Sequence, residues 1–85
     1  LLIVQITDEE TTAQIKALLE SRPEIDSIIN LITFQLGPRI MVAVKAKMNN
    51  ANSVNDLIIN INKCESELKK NVPAVQWVFF EPDIE

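Results

Sequence analysis

The sequence predicts an α+β domain in which an antiparallel sheet carries two helices on one face. Three observations support this. Two segments carry apolar residues at helical spacing behind capping residues, three runs are rich in Val, Ile and Phe, and the chain's single glycine falls between two of those runs. The resulting order is helix, strand, strand, helix, strand, with an optional strand in front, which is the split β-α-β pattern. A chain of 85 residues has room for one such domain and no second core.

Leu1-Leu2-Ile3-Val4-Gln5-Ile6 reads alone as a short strand, or as the tail of something more apolar upstream. Thr7-Asp8-Glu9-Glu10 follows as a capping box, in which the Thr7 hydroxyl accepts from the amide of residue 10 while Glu10 reaches back. Ile15, Leu18 and Leu19 supply the apolar stripe of a helix from about Asp8 to Ser21, which ends before Pro23 because a proline disfavours helix at the residue preceding it. Ile25 to Leu36 and Ile40 to Met48 form a hairpin around Gly37, the expected positive-φ residue. In the second of these strands Val42, Val44, Ala46 and Met48 share one face, and Met41, Ala43, Lys45 and Lys47 the other, so the even face is the core face.

Ser53 is an N-cap for a long helix reaching about Lys70, with Val54, Leu57, Ile58, Ile61, Cys64 and Leu68 at helical spacing. Lys69 and Lys70 suit its C-terminal dipole, and Pro73 ends it. Ala74 to Phe80 is the last strand, closed by Pro82. It is apolar on both parities, so one face of the sheet must present large side chains outward. An isolated small domain rarely exposes such a patch, and self-association is the simplest remedy.

Composition removes several functions. Without histidine the chain cannot run Ser-His-Asp or Cys-His catalysis, nor build an imidazole metal site. Its single cysteine excludes a disulfide framework and a Cys-x-x-Cys pair. A net charge of −4 opposes nucleic-acid binding, which needs a cationic face. No apolar run approaches the roughly 20 residues that span a bilayer, and a cytosolic domain is expected. The absence of an initiator methionine suggests that it was cut from a longer chain.

Few residues remain as candidates for chemistry. Cys64 sits on the apolar stripe of the second helix, where a buried packing role outweighs a ligand or redox role. Glu81 and Asp83, with Glu85, could hold a hard divalent cation weakly, against the plainer reading of a solvated acidic tail. Lys45 and Lys47 project from the open sheet face. Trp77, Phe79 and Phe80 could stack bases, but no Lys/Arg-Gly-Phe run accompanies them, and packing is the stronger reading. The acids lie at helix starts, in loops and in the tail, so no catalytic pair converges and no enzyme is expected.

From Ile15 to Ile84 the chain resembles the cytoplasmic C-terminal domain of the cation diffusion facilitators, the divalent-metal efflux transporters. The segments carrying the resemblance are Ile15-Lys16-Ala17-Leu18-Leu19, Pro23-Glu24-Ile25, Ile32-Thr33-Phe34-Gln35-Leu36-Gly37-Pro38 and Val42-Ala43-Val44. Cys64-Glu65 and Val75-Gln76-Trp77-Val78-Phe79-Phe80-Glu81-Pro82 complete them. The resemblance implies a ferredoxin-like, metallochaperone-like α-β-β-α-β domain over residues 8–85, homodimeric and V-shaped, below a six-helix membrane domain. Residues 1–7 would then be the linker leaving the last membrane helix rather than a true fourth strand.

In that family the domain often binds zinc or a related cation at the dimer interface. The full transporter would carry such a cation through its membrane part. The family's ligand positions fall here on Ile29, Lys45, Ile58 and Phe79, none of which replaces a histidine, and only an acidic position survives, as Glu81. A Lys45 ammonium close to Glu81 could supply fixed charge where relatives use a cation. The expected function is thus a regulatory and dimerisation domain closed by packing around these positions and Trp77. The alternative is a ferredoxin-like module that senses a small ligand, which would need residues 1–6 paired as an edge strand.

Overall fold

The strand from Arg39 to Met48 alternates without interruption. Ile40, Val42, Val44, Ala46 and Met48 are buried, while Met41, Ala43, Lys45 and Lys47 are only partly so. The period of two follows from the pleat, which sends successive side chains to opposite faces. The computed structural model, which describes residues 4–49 and 51–83, builds the rest of the fold around this strand. Its elements are β1 (Val4–Ile6), α1 (Glu9–Glu20), β2 (Ile25–Leu36), β3 (Arg39–Met48), α2 (Val54–Asn71) and β4 (Val75–Asp83). Leu1 to Ile3, Asn50, Ile84 and Glu85 lie outside the described residues.

Both helices cover the even face of β3. Ile15 and Leu19 of α1 and Cys64 and Leu68 of α2 join Ile25, Ile40, Val42, Val44, Ala46, Met48, Val72 and Val75 in one core. The α2 cap is the expected one, with the Ser53 hydroxyl accepting from the Asp56 amide at 3.1 Å. The α1 cap differs by one residue. Asp8, not Thr7, is the N-cap, and its carboxylate accepts from the Thr11 amide at 2.8 Å. Thr7 is drawn instead into the sheet, where its amide donates to the Thr33 carbonyl at 3.1 Å. Its side chain is buried and its hydroxyl has no partner, while the neighbouring Thr12 and Thr33 hydroxyls bond each other at 2.8 Å.

The sheet runs in the order β1-β2-β3-β4, and this corrects the expected all-antiparallel arrangement. β1/β2 and β2/β3 are antiparallel, but β3 and β4 are parallel. The reason is the connection. The β2/β3 turn reverses the chain at Gly37, whose φ of +57° is the only positive one among the described residues. The 18-residue α2 instead carries it back beside the start of β3, where Val75 pairs with Ile40, and a helical crossover of that kind yields a parallel neighbour.

Two further expectations change. Val4–Ile6 is a strand paired with Leu36 to Phe34, matching the short strand that the residues alone suggested rather than the unpaired segment that the resemblance implied. The 12-residue β2 extends far enough to offer those three residues an edge. β4 also continues through Pro82 to Asp83. An edge strand tolerates a proline whose missing amide would face solvent, and β4 is such an edge.

Replacing the partnerless hydroxyl by a methyl of the same shape removes a desolvation cost without opening a cavity. Thr7→Val is therefore expected to stabilise the domain by about 1 kcal/mol, read as a higher urea midpoint at unchanged slope.

Candidate functional site: the open face of the sheet

The face turned away from the helices is organised in rows by the strand register. The first row crosses all four strands as Ile6, Phe34, Met41 and Trp77. The second is Ile32, Ala43 and Phe79, the third Asn30, Lys45 and Glu81, and the fourth Ser27, Lys47 and Asp83. One end of the face is thus apolar and the other charged. Ile6 is 79% exposed, Phe79 60%, Ile32 40% and Trp77 39%, a continuous patch of the kind that marks an interaction surface.

A bulge explains why β4 is apolar on both parities. The register slips between Ile40/Val75 and Met41/Trp77, so Gln76 has no counterpart on β3. Val75 therefore points into the core and Trp77 out of it. Beyond the slip, Val78 and Phe80 pack against the core while Phe79 and Glu81 stay on the open face.

The Lys45 ammonium lies 3.2 Å from Glu81 Oε2, the proximity that the family resemblance suggested. Lys47 Nζ lies 3.9 Å from Asp26 Oδ2. Lys45 and Glu81 are 43% and 68% exposed, so solvent screens the pair and its contribution to folding stability is small, below about 1 kcal/mol. What the pair does is order charge: β3 carries a cationic stripe and β4 an anionic one beside it.

The other candidate positions are not gathered at one point within the chain. Trp77, Phe79, Lys45, Glu81 and Asp83 share the open face. Ile29 falls in a second register slip, between Ile28 and Asn30 of β2, and is half exposed. Ile58 is half exposed on α2, across the sheet from Lys45. Among the described residues no three His, Cys, Asp or Glu side chains are placed to hold a metal ion. The face fits a resident divalent cation poorly, because the Glu81 carboxylate is already in contact with an ammonium.

No protein-family model and no curated protein sequence matches the chain. Solved structures do. A MamM C-terminal domain carrying two substitutions matches with a TM-score of 0.81 and 13% identity, covering 92% of this chain and 99% of that one. A nickel form of a single-substitution MamM domain gives 0.82 at 13% identity over 92% and 99% of the two chains, and a cadmium form of another gives 0.80 at 13% over 91% and 96%. The chain has the MamM C-terminal-domain fold. MamM is a cation diffusion facilitator, so the architecture that the sequence resemblance implied is the one observed.

Within this MamM-like fold the turn from α1 to β2 holds a cluster that the sequence did not reveal. The Arg22 guanidinium grips Glu24 with two bonds, Nε to Oε1 at 3.0 Å and Nη2 to Oε2 at 3.1 Å. The Cys64 thiol of α2 donates to the same Oε1 at 3.6 Å. Arg22-Pro23-Glu24 read as a helix stop, with Pro23-Glu24 also part of the resemblance, and nothing in its spacing announces a partner 40 residues away. Burial pushes the Glu24 carboxyl upward, but the Arg22 fork and a backbone amide outweigh it, leaving the carboxyl below its usual range. The cluster ties the turn to α2. The guanidinium beside it makes it a poor cation site.

Cys64 is buried in the core, as the packing reading expected. Burial, reinforced by the facing Glu24 carboxylate, pushes its thiol from 9.0 up to about 11. A group raised on folding stabilises below its unfolded value and loses that contribution as pH climbs through the folded one. The stability difference between the wild type and Cys64→Ala is therefore expected to be constant up to about pH 9 and to shrink between 9 and 11 in denaturant titrations. At pH 8 the native thiol is expected to resist alkylation, since the thiolate is the nucleophile.

Proposed function

We propose that the chain is the cytoplasmic regulatory and dimerisation domain of a divalent metal cation efflux transporter of the cation diffusion facilitator class. The observation that carries this is the MamM C-terminal-domain fold over 92% of the chain. Residues 8–85 form the domain, and residues 1–7 lead from the membrane domain of the same chain, with Val4–Ile6 of that segment paired onto β2. The transported cation, zinc or a relative, is cargo of the membrane part. The domain itself is neither an enzyme nor a nucleic-acid binder.

Its dimer closes by packing of the open face rather than by metal. Ile29, Ile58 and Phe79 stand where the family resemblance leads one to expect ligands, and Lys45 meets Glu81 with an ammonium. A ligand shifts an equilibrium only by its differential affinity for the two states. A domain closed without metal is thus a standing clamp between two transporter halves, with little metal response of its own. A ferredoxin-like module that senses a small organic ligand is the second reading, favoured by the pairing of β1 as an edge strand.

The domain is expected to sediment as a dimer in excess chelator, and added zinc, manganese or cadmium is expected to leave both the dimer fraction and the heat of mixing unchanged. A monomer that dimerises only with zinc contradicts the proposal. A dimer whose closure depends on a small organic ligand supports the second reading.

A further inference from the structure

The geometry points to one register for the second copy: a two-fold axis parallel to the strands, running between β3 and β4, which sets Lys45 of each protomer over Glu81 of the other. The inference rests on the dimerising role proposed above and specifies how the two faces meet.

It follows from the rows. In a face-to-face pair the two-fold axis lies in the interface plane. An axis perpendicular to the strands lays the row of Lys45 and Glu81 over an apolar row of the partner, or, set at the charged end of the face, lays lysine over lysine and acid over acid. An axis along the strands keeps charged rows over charged rows and apolar rows over apolar ones. Placed on β3 it opposes Lys45 to Lys45, and on β4 it opposes Glu81 to Glu81. Placed between them it alternates the signs, so two lysines and two glutamates form a closed ring, and like charges never face each other.

The apolar rows agree with this placement. Phe79, the most exposed aromatic, falls over Ala43, the smallest open-face side chain of β3, and Trp77 falls over Met41. The competing axis, between β2 and β3, sets β4 over β1. That strand ends at Ile6, in the row of Trp77, so Phe79 would hang uncovered past it. Sheet faces packed about 10 Å apart leave room for an exposed Lys–Glu pair to exchange partners across the interface.

Charge reversal tests the register. Lys45→Glu makes the third row acidic and Glu81→Lys makes it basic, and both side chains are exposed enough for the fold to survive, which circular dichroism checks. Each variant alone is expected to dimerise about tenfold or more weakly than the wild type, because like charges then oppose one another. An equimolar mixture is expected to regain near wild-type affinity as the heterodimer, read by sedimentation and native mass spectrometry. In parallel, Phe79→Ala is expected to weaken the dimer and Ile6→Ala to leave it unchanged.

Variants as tight as the wild type, a mixture no tighter than its parents, or sensitivity to Ile6→Ala with none to Phe79→Ala overturns the register while leaving a dimerising domain standing. A wild-type domain that stays monomeric overturns the dimerising role, and the register with it.

Discussion

Two helices cover one face of a four-stranded sheet and leave the other bare, and the remaining features of the structure follow from that imbalance. The helices hold 12 and 18 residues, and both are spent on the even side of β3. Because the pleat alternates, every residue that seals the core commits its neighbours to the opposite face. Val42, Val44 and Ala46 in the core therefore place Met41, Ala43, Lys45 and Lys47 outside. Among the described residues nothing covers the apolar share of that outer face, where Phe79, Ile32 and Trp77 stay exposed.

The parts legible in the sequence were those fixed by local chemistry. Strict alternation in β3, a single glycine at the tight turn and a serine before the α2 stripe each specify a local geometry irrespective of what lies far away in the chain. The misreadings came from tertiary competition. Thr7 and Asp8 are both good caps, and strand pairing with Thr33 decided between them by drawing Thr7 into the sheet. Pro82 looked like a stop because the sequence does not say which strand is an edge. The slip at Gln76 looked like a strand apolar on both sides, because periodicity alone does not reveal a bulge.

The open face was legible in composition more than in arrangement. Parity assigned Lys45 outward, but β4 reads as apolar on both parities, so which of its residues join Lys45 on the open face, and the rows that unite them, depend on the slip at Gln76 and on β4 running parallel to β3. An antiparallel β4 would have reversed its order and set Trp77, not Glu81, toward the lysine end. Arg22, Glu24 and Cys64 were beyond reach for a related reason, since their meeting depends on how α2 lies against a turn 40 residues earlier. An exposed pair such as Lys45–Glu81 adds little to folding, and its consequence lies in the charge pattern offered to another surface.

Trp77 is the chain's only tryptophan and lies on the face that a second copy would cover, so it reports directly on whether that face is closed without metal. The decisive measurement is its emission maximum in excess chelator as the protein is diluted through the dissociation range. The account predicts a blue-shifted emission at high concentration that relaxes to a solvent-exposed one on dilution, in step with the dimer fraction. Emission that ignores protein concentration in chelator, and shifts only when zinc is added, would contradict it.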